Sequence, residues 1–284
     1  MPFMRVSEIL KLADKHNTSA IAFNCYNTDT IAAIVHGAEQ ARKPVIAMLY
    51  PTMRNLMSLP AFAAEVRQLA ADSPVPVGLH LDHCHDRDVI REAIQSGFTS
   101  VMADGSMLPF EENLTFTREV AAMAHDMGAD VEGELGVIGR VGVEGQEVDY
   151  TSRDLYTTAD EAEQFIAATG VDSLAIAIGS AHGFYRQTPK LDLERLKEIN
   201  ARVNTPLVLH GGSGIPEAQL VEAFKLGINK FNVGTEFLYL NMTLTRDAFK
   251  VEGMDKESFK FVDFVREGLT HYIKKKIQLT TMTC

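Results

Sequence analysis

Tryptophan is absent and cysteine nearly so, with Cys25, Cys84 and Cys284 the three cysteines in 284 residues. They cannot all pair and none forms a CxxC, so a disulfide framework is excluded and a reducing compartment is indicated, with a redox role left open. Basic residues are scarce too: 27 Lys plus Arg against 38 Asp plus Glu give a formal net charge of -11. That leaves no basic stripe for a nucleic-acid backbone and points to a small-molecule partner. No apolar run reaches the roughly 18 residues of a membrane span. The N-terminal MPFMRVSEILKLADKHN spaces Glu8, Lys11 and Asp14 among its apolar residues, as an amphipathic helix does and a signal peptide does not. Neither nucleic acid nor membrane is expected as a partner, and the expected location is cytoplasmic. Low-complexity tracts and short repeats are also missing.

What is present is alternation. Short β-rich runs fall at 20–23, 45–49, 75–81, 100–103, 130–134, 173–178, 207–209 and 230–233. Segments of helical period lie between them, at 30–41, 60–71, 88–96, 111–127, 159–168, 193–203 and 216–226. Alternating strands and helices imply parallel strands joined by right-handed crossovers. Eight repeats in a chain of this length fit a closed α/β barrel, which commonly takes about 250 residues, better than an open doubly wound sheet. The expected fold is therefore a single-domain (β/α)8 TIM barrel spanning 1–284. The longest interval between strands, Glu134 to Ser173, begins with the glycine- and charge-rich GVIGRVGVEGQEVDYTSRD. This is too long for an ordinary connection and reads as a mobile active-site loop around 136–155. The C-terminal 256–278 reads as a helix ending in Lys274, Lys275 and Lys276, a solvated basic end.

Chemistry concentrates at the strand ends. His83 in HLDHCHD, His182 in AIGSAHG and His210 in LVLHGGSG each close or follow a strand, so a barrel gathers them on one face. Three imidazoles plus one open position is the usual catalytic zinc arrangement. His80 and His85 compete with His83, the first deeper in its strand and suited to a structural hydrogen bond, the second facing solvent. His16, His36, His125 and His271 fall on helices or turns. Asp82 could be a second ligand, an orienting partner or a proton-transfer group. Asp104 and Glu134 also end strands, where they cap helices, form ion pairs or coordinate a transient second metal position. Gly211 to Gly214 form a GGSG turn before Pro216, and Asn232, Val233, Gly234 and Thr235 end the last strand. Backbone N–H groups in such turns wrap phosphate, and sites after strands seven and eight recur in these barrels.

Together and in order, the motifs AFNCYN, HLDH, MADGS, EGELG, AIGSAHG, LVLHGGSG and NVGTE resemble the class II, metal-dependent ketose-bisphosphate aldolases. The resemblance implies that His83, His182 and His210 bind Zn2+ and that Asp82 is the proton donor to the aldehyde-derived oxygen. It also implies that Gly183, Gly211, Gly212, Ser213, Asn232 and Thr235 hold the phosphate of dihydroxyacetone phosphate, with Val233 and Gly234 in the same segment. Asn24 of AFNCYN joins the substrate-binding set. A monovalent cation near the phosphate and a homodimeric or homotetrameric state are family traits.

Two departures bear on mechanism and substrate. Where relatives carry a GG-x-ED type sequence whose glutamate abstracts a proton, this chain reads GRVGVEG; Glu144 is the best base and Glu147 competes. Fructose-bisphosphate aldolases typically have aspartate where Gly234 stands, whereas tagatose-type members have a small residue. The expected reaction is thus reversible cleavage of a ketose 1,6-bisphosphate, tagatose type favoured, or of a ketose 1-phosphate, since Tyr50 and Pro51 reshape the distal end. The alternatives are a Schiff-base aldolase through Lys230, a metal-dependent phosphosugar epimerase or isomerase, fructose-bisphosphate aldolase activity, and a non-catalytic phosphosugar-binding protein.

Overall fold

A helix comes first: α1, Val6–Lys15, whose Val6, Ile9, Leu10 and Ala13 form one buried stripe. The computed structural model describes residues 3–139, 151–185 and 187–282. After α1 the chain alternates through β1 (Ala20–Asn24), α2 (Thr28–Ala41), β2 (Val45–Leu49), α3 (Leu59–Asp72), β3 (Val77–Cys84), α4 (Arg87–Gln95), β4 (Ser100–Ala103) and α5 (Phe110–Asp126). It continues through β5 (Asp130–Leu135), α6 (Ala159–Thr169), β6 (Ser173–Ile176), α7 (Leu193–Asn200), β7 (Leu207–Leu209), α8 (Glu217–Lys225) and β8 (Ile228–Val233), then α9 (Thr235–Ala248) and α10 (Ser258–Ile277). The strands close into a barrel in sequence order, and β8 pairs in parallel with β1. The expected TIM barrel is therefore the observed fold.

Strand parity divides the core in two. Ile21, Phe23, Val45, Ala47, Leu79, Leu81, Phe231 and Val233 belong to a large cluster with the helices' apolar faces. Ala20, Ala22, Ile46 and Met48 face the other way, where they meet Val6, Ile9, Leu10 and Ala13 of α1. Helix α1 thus closes the N-terminal end of the barrel, each buried aliphatic side chain contributing about 1.5–3 kcal/mol. Gly78 makes room for it, since a Cβ there would lie 3.0 Å from Ile9 and 3.1 Å from Val6. Arg5 at the helix start pairs with Asp130.

Three differences from the sequence reading matter for the site. Strand β3 runs through His83 to Cys84 instead of ending at Leu81. Its register against β4 shifts between Leu81 and Cys84, and His83 has φ +42°. Helix α9 was not foreseen: only Phe237 and Ala248 on it are buried, while Tyr239 and Met242 are exposed, so no clean apolar stripe announces it.

Candidate active site

The irregularity in β3 is what puts two neighbouring side chains to use together. Successive side chains of a regular strand point to opposite faces. With the left-handed backbone at His83, Asp82 and His83 both line one pocket, and Asp82 Oδ1 lies 4.0 Å from His83 Nε2. Left-handed backbone at a non-glycine residue costs of order 1–3 kcal/mol and clusters at functional sites.

His83, His182 and His210 offer nitrogens that all lie within 4.8 Å of one another. His83 Nε2 and His210 Nδ1 are 2.9 Å apart, against about 3.3 Å for two ligand nitrogens on a tetrahedral zinc. The far nitrogens of the two rings are backed by carboxylates: Asp104 Oδ2 is 2.9 Å from His83 Nδ1, and Glu132 Oε1 is 2.9 Å from His210 Nε2. That backing fixes which nitrogen faces the metal position. His182 comes from the segment after β6, where its N–H donates to Gly139 O at 2.8 Å. The donor set therefore fits a zinc-type ion.

Burial disfavours charge on His83, yet Asp82, Asp104 and Glu134 carry its pKa up to about 10. Burial and the neighbouring His83 charge hold His210 well below the usual range. Burial opposes ionisation of Asp82, but the His83 charge outweighs it and Asp82 is a carboxylate. Its two oxygens accept from Asn24 Nδ2 at 2.9 Å and Asn232 Nδ2 at 3.1 Å. Glu134 is buried with Oε2 lacking a hydrogen bond, 3.4 Å from His210 Nδ1 and 3.7 Å from His83 Nδ1, and burial followed by the Asp104 charge pushes its pKa up to about 8. His83, Asp104 and Glu134 form a second group able to hold an ion.

The pocket has a volume of about 250 Å³. The predicted Asn24, Gly183, Gly211, Gly212, Ser213, Asn232, Gly234 and Thr235 all line it, together with Tyr50, Met53 and Leu238. Val233 does not: it points outward into the helix-facing core, as strand parity next to inward Asn232 requires. Glycine is imposed at Gly211, with φ +66° and a would-be Cβ 2.4 Å from Ala181 O, and at Gly212, where a Cβ would lie 1.9 Å from the Phe231 ring. Asn232 Oδ1 is buried without a partner. Glu144 and Glu147 lie outside the described residues.

Of the competing histidines, His80 lies below the site with Nδ1 2.7 Å from Ser100 Oγ, and His85 is exposed. Lys230 is fully buried with Nζ 2.7 Å from Glu132 Oε2, and it does not line the pocket. Glu132, which backs His210, is a residue of this cluster that the sequence reading missed. Its signal was parity: it stands two residues before Glu134 on one strand and so faces the same interior.

A family model described as fructose-bisphosphate aldolase class-II matches residues 4–283. The chain belongs to this family, and it is an aldehyde lyase. A sulfofructosephosphate aldolase of Alkalicoccus urumqiensis is 41% identical over 239 residues, covering 83% of this chain and 82% of the relative. Among solved structures, the YdjI aldolase of Escherichia coli K12 superposes with a TM-score of 0.86 at 31% identity, covering 98% of this chain and 97% of that one. A putative fructose-1,6-bisphosphate aldolase of Coccidioides immitis gives 0.84 at 29%, covering 97% and 95%.

Proposed function

We propose that the enzyme is a zinc-dependent aldolase that reversibly cleaves a ketose carrying a 1-phosphate into dihydroxyacetone phosphate and an aldehyde. The observation that carries this is the meeting of His83, His182 and fully buried His210, the first two lining a glycine-floored pocket together with a buried Asp82 carboxylate. A metal ion held by the three histidines supplies Lewis acidity, which lowers the cost of negative charge developing on a substrate oxygen. In cleavage, Asp82 accepts the proton of the ketose C4 hydroxyl as the C3–C4 bond breaks, and it returns that proton in synthesis. Asn24 and Asn232 keep its oxygens aimed at the pocket. Gly183, Gly211, Gly212, Ser213 and Thr235 hold the phosphate, and Glu144 is the base at C3 of the three-carbon fragment.

The ketose is a 1,6-bisphosphate of the tagatose type or a ketose 1-phosphate. A side chain at Gly234 would meet Asn24 Oδ1 at 2.6 Å, which supports the small-residue, tagatose-type reading over the fructose type. Two features favour the ketose 1-phosphate. Among the described residues no Lys or Arg lines the pocket, whereas Tyr50, Met53 and Leu238 do. The relative at 41% identity is also named for a sulfofructosephosphate. A cytoplasmic homo-oligomer with a monovalent cation near the phosphate completes the proposal. Among the described residues no helix is long and apolar enough to cross a membrane.

The test is exchange of the hydroxymethyl proton of dihydroxyacetone phosphate in deuterated water, followed by NMR with and without a chelator. Stereospecific exchange that stops on chelation is expected. Exchange that survives chelation and is trapped by borohydride would sink the metal mechanism.

A further inference from the structure

Tyr185 follows the metal-side segment by three residues, but its hydroxyl reaches both sides of the pocket. The Ala181 N–H donates to Tyr185 Oη at 2.7 Å, and the same hydroxyl donates to Gly211 O at 2.7 Å. Ala181 immediately precedes His182, and Gly211 immediately follows His210. One oxygen therefore pins the segment after β6 to the turn after β7.

The two backbones also touch, because a Cβ on Gly211 would lie 2.4 Å from Ala181 O. The turn is held from other directions as well. The Phe231 ring lies under Gly212, and Ser213 Oγ accepts from the Glu236 N–H at 3.0 Å. The Tyr185 staple adds two side-chain hydrogen bonds that tie this turn to the histidine-bearing segment. Without it, the Gly211 carbonyl and the Ala181 amide each lose a partner in a crowded position, and the N–H groups of the Gly211–Ser213 turn are free to drift. A phosphate cradle built from backbone donors has no side chain to compensate for such drift.

We propose that Tyr185 is a positioning residue that locks the phosphate turn to the metal-side segment and thereby sets affinity for the substrate phosphate. The inference rests on the phosphate reading of the pocket. It concerns binding held alike in ground and transition states, so it affects KM and leaves kcat nearly unchanged.

The experiment compares wild type with Tyr185→Phe, which keeps the ring packing. Affinity of the metal-free protein for inorganic phosphate is measured by titration, alongside KM and kcat of the zinc-loaded enzyme and its thermal midpoint. Phosphate affinity is expected to weaken by about tenfold, with KM rising in parallel and kcat within about threefold of wild type. In wild type, hydrogen exchange at the Ala181 amide is expected to slow on adding phosphate, a readout that needs no variant. Equal phosphate affinity in the two proteins, or a lowered midpoint with unchanged KM, would overturn the positioning role. So would Ala181 exchange that ignores phosphate. Failure of wild type itself to bind phosphate would overturn the phosphate reading, and the inference with it.

Discussion

Removing the Lys230 ammonium is the sharpest perturbation of the layer beneath the histidines. Lys230 Nζ lies 2.7 Å from Glu132 Oε2, and the two side chains are 0% and 1% exposed. At that separation the attraction is about 6 kcal/mol for an effective dielectric near 20, and breaking a buried pair by removing one partner costs about 3–5 kcal/mol. Lys230→Met leaves Glu132 with the ring N–H of His210 at 2.9 Å and the Ser173 hydroxyl at 3.4 Å, and with no cation at Lys230's place. Urea unfolding should therefore show a loss of about 3–5 kcal/mol.

Adding Glu132→Gln to Lys230→Met removes the stranded charge while keeping a carbonyl oxygen for His210, so the double variant should regain most of the lost stability. Its zinc affinity should fall below that of the proteins that keep Glu132. Loss of a carboxylate behind a ligating histidine typically weakens metal binding 10- to 100-fold, to be measured by competition with a chromophoric chelator. A Lys230→Met protein as stable as wild type, a double variant no more stable than the single, or unweakened zinc binding in the double would each refute the reasoning. Zinc-supported cleavage by the folded Lys230→Met protein would also exclude that lysine as a nucleophile.

Three further outcomes follow. Asp82→Asn should lower the cleavage rate by about 10²- to 10⁴-fold in steady-state assays, with zinc affinity little changed; full activity would remove Asp82 from the proton path. Gly234→Asp should displace Asn24, whose Oδ1 would sit 2.6 Å from the new Cβ, and so weaken its 2.9 Å bond to Asp82. A loss of roughly tenfold in kcat/KM is expected, and retention of activity would show that Asn24 does not steer the carboxylate. Burial pushes the Cys84 thiol up to about 11, so peptide-resolved alkylation of the native enzyme at pH 8 should be slow and should accelerate as pH rises toward that value. Rapid modification at pH 8 would contradict a protonated, enclosed thiol.

The barrel was legible because β2, β4 and β7 are short, wholly apolar or nearly so, and bounded by turns. Helix propensity and period then filled most of the gaps. The strand end at Asp82–Cys84 was not legible to the residue, since a register shift against β4 and a positive φ at a histidine are properties of the pairing, not of the sequence HLDHC. Helix α9 escaped for a different reason: its apolar residues are spread around it, and several remain exposed. The histidines and glycine turns could be read because each sits at a strand end, the one place where sequence position alone predicts proximity in a barrel. Tyr185 could not, because a tyrosine beyond the strand carries no period or motif that says what its hydroxyl meets.

Glu132 shows what parity could have added. In β5 the residues Asp130, Glu132 and Glu134 share the interior face, as His80 and Asp82 do in β3 and Lys230 and Asn232 do in β8. A barrel interior is ordinarily filled by Val, Ile and Leu, so inward-facing His80, Glu132 and Lys230 on three different strands mark a polar layer one step below the site. Such a layer is a poor way to gain stability, since a buried pair contributes little more than an apolar replacement of the same volume and often less. Its geometry suits another use. Glu132 accepts from Lys230 on one oxygen and meets the ring of His210 with the other. Lys230 holds the Glu132 side chain at the depth where it orients that imidazole. The Glu132–Lys230 pair is thus better explained by the orientation of His210 than by a net gain over an apolar core of the same volume.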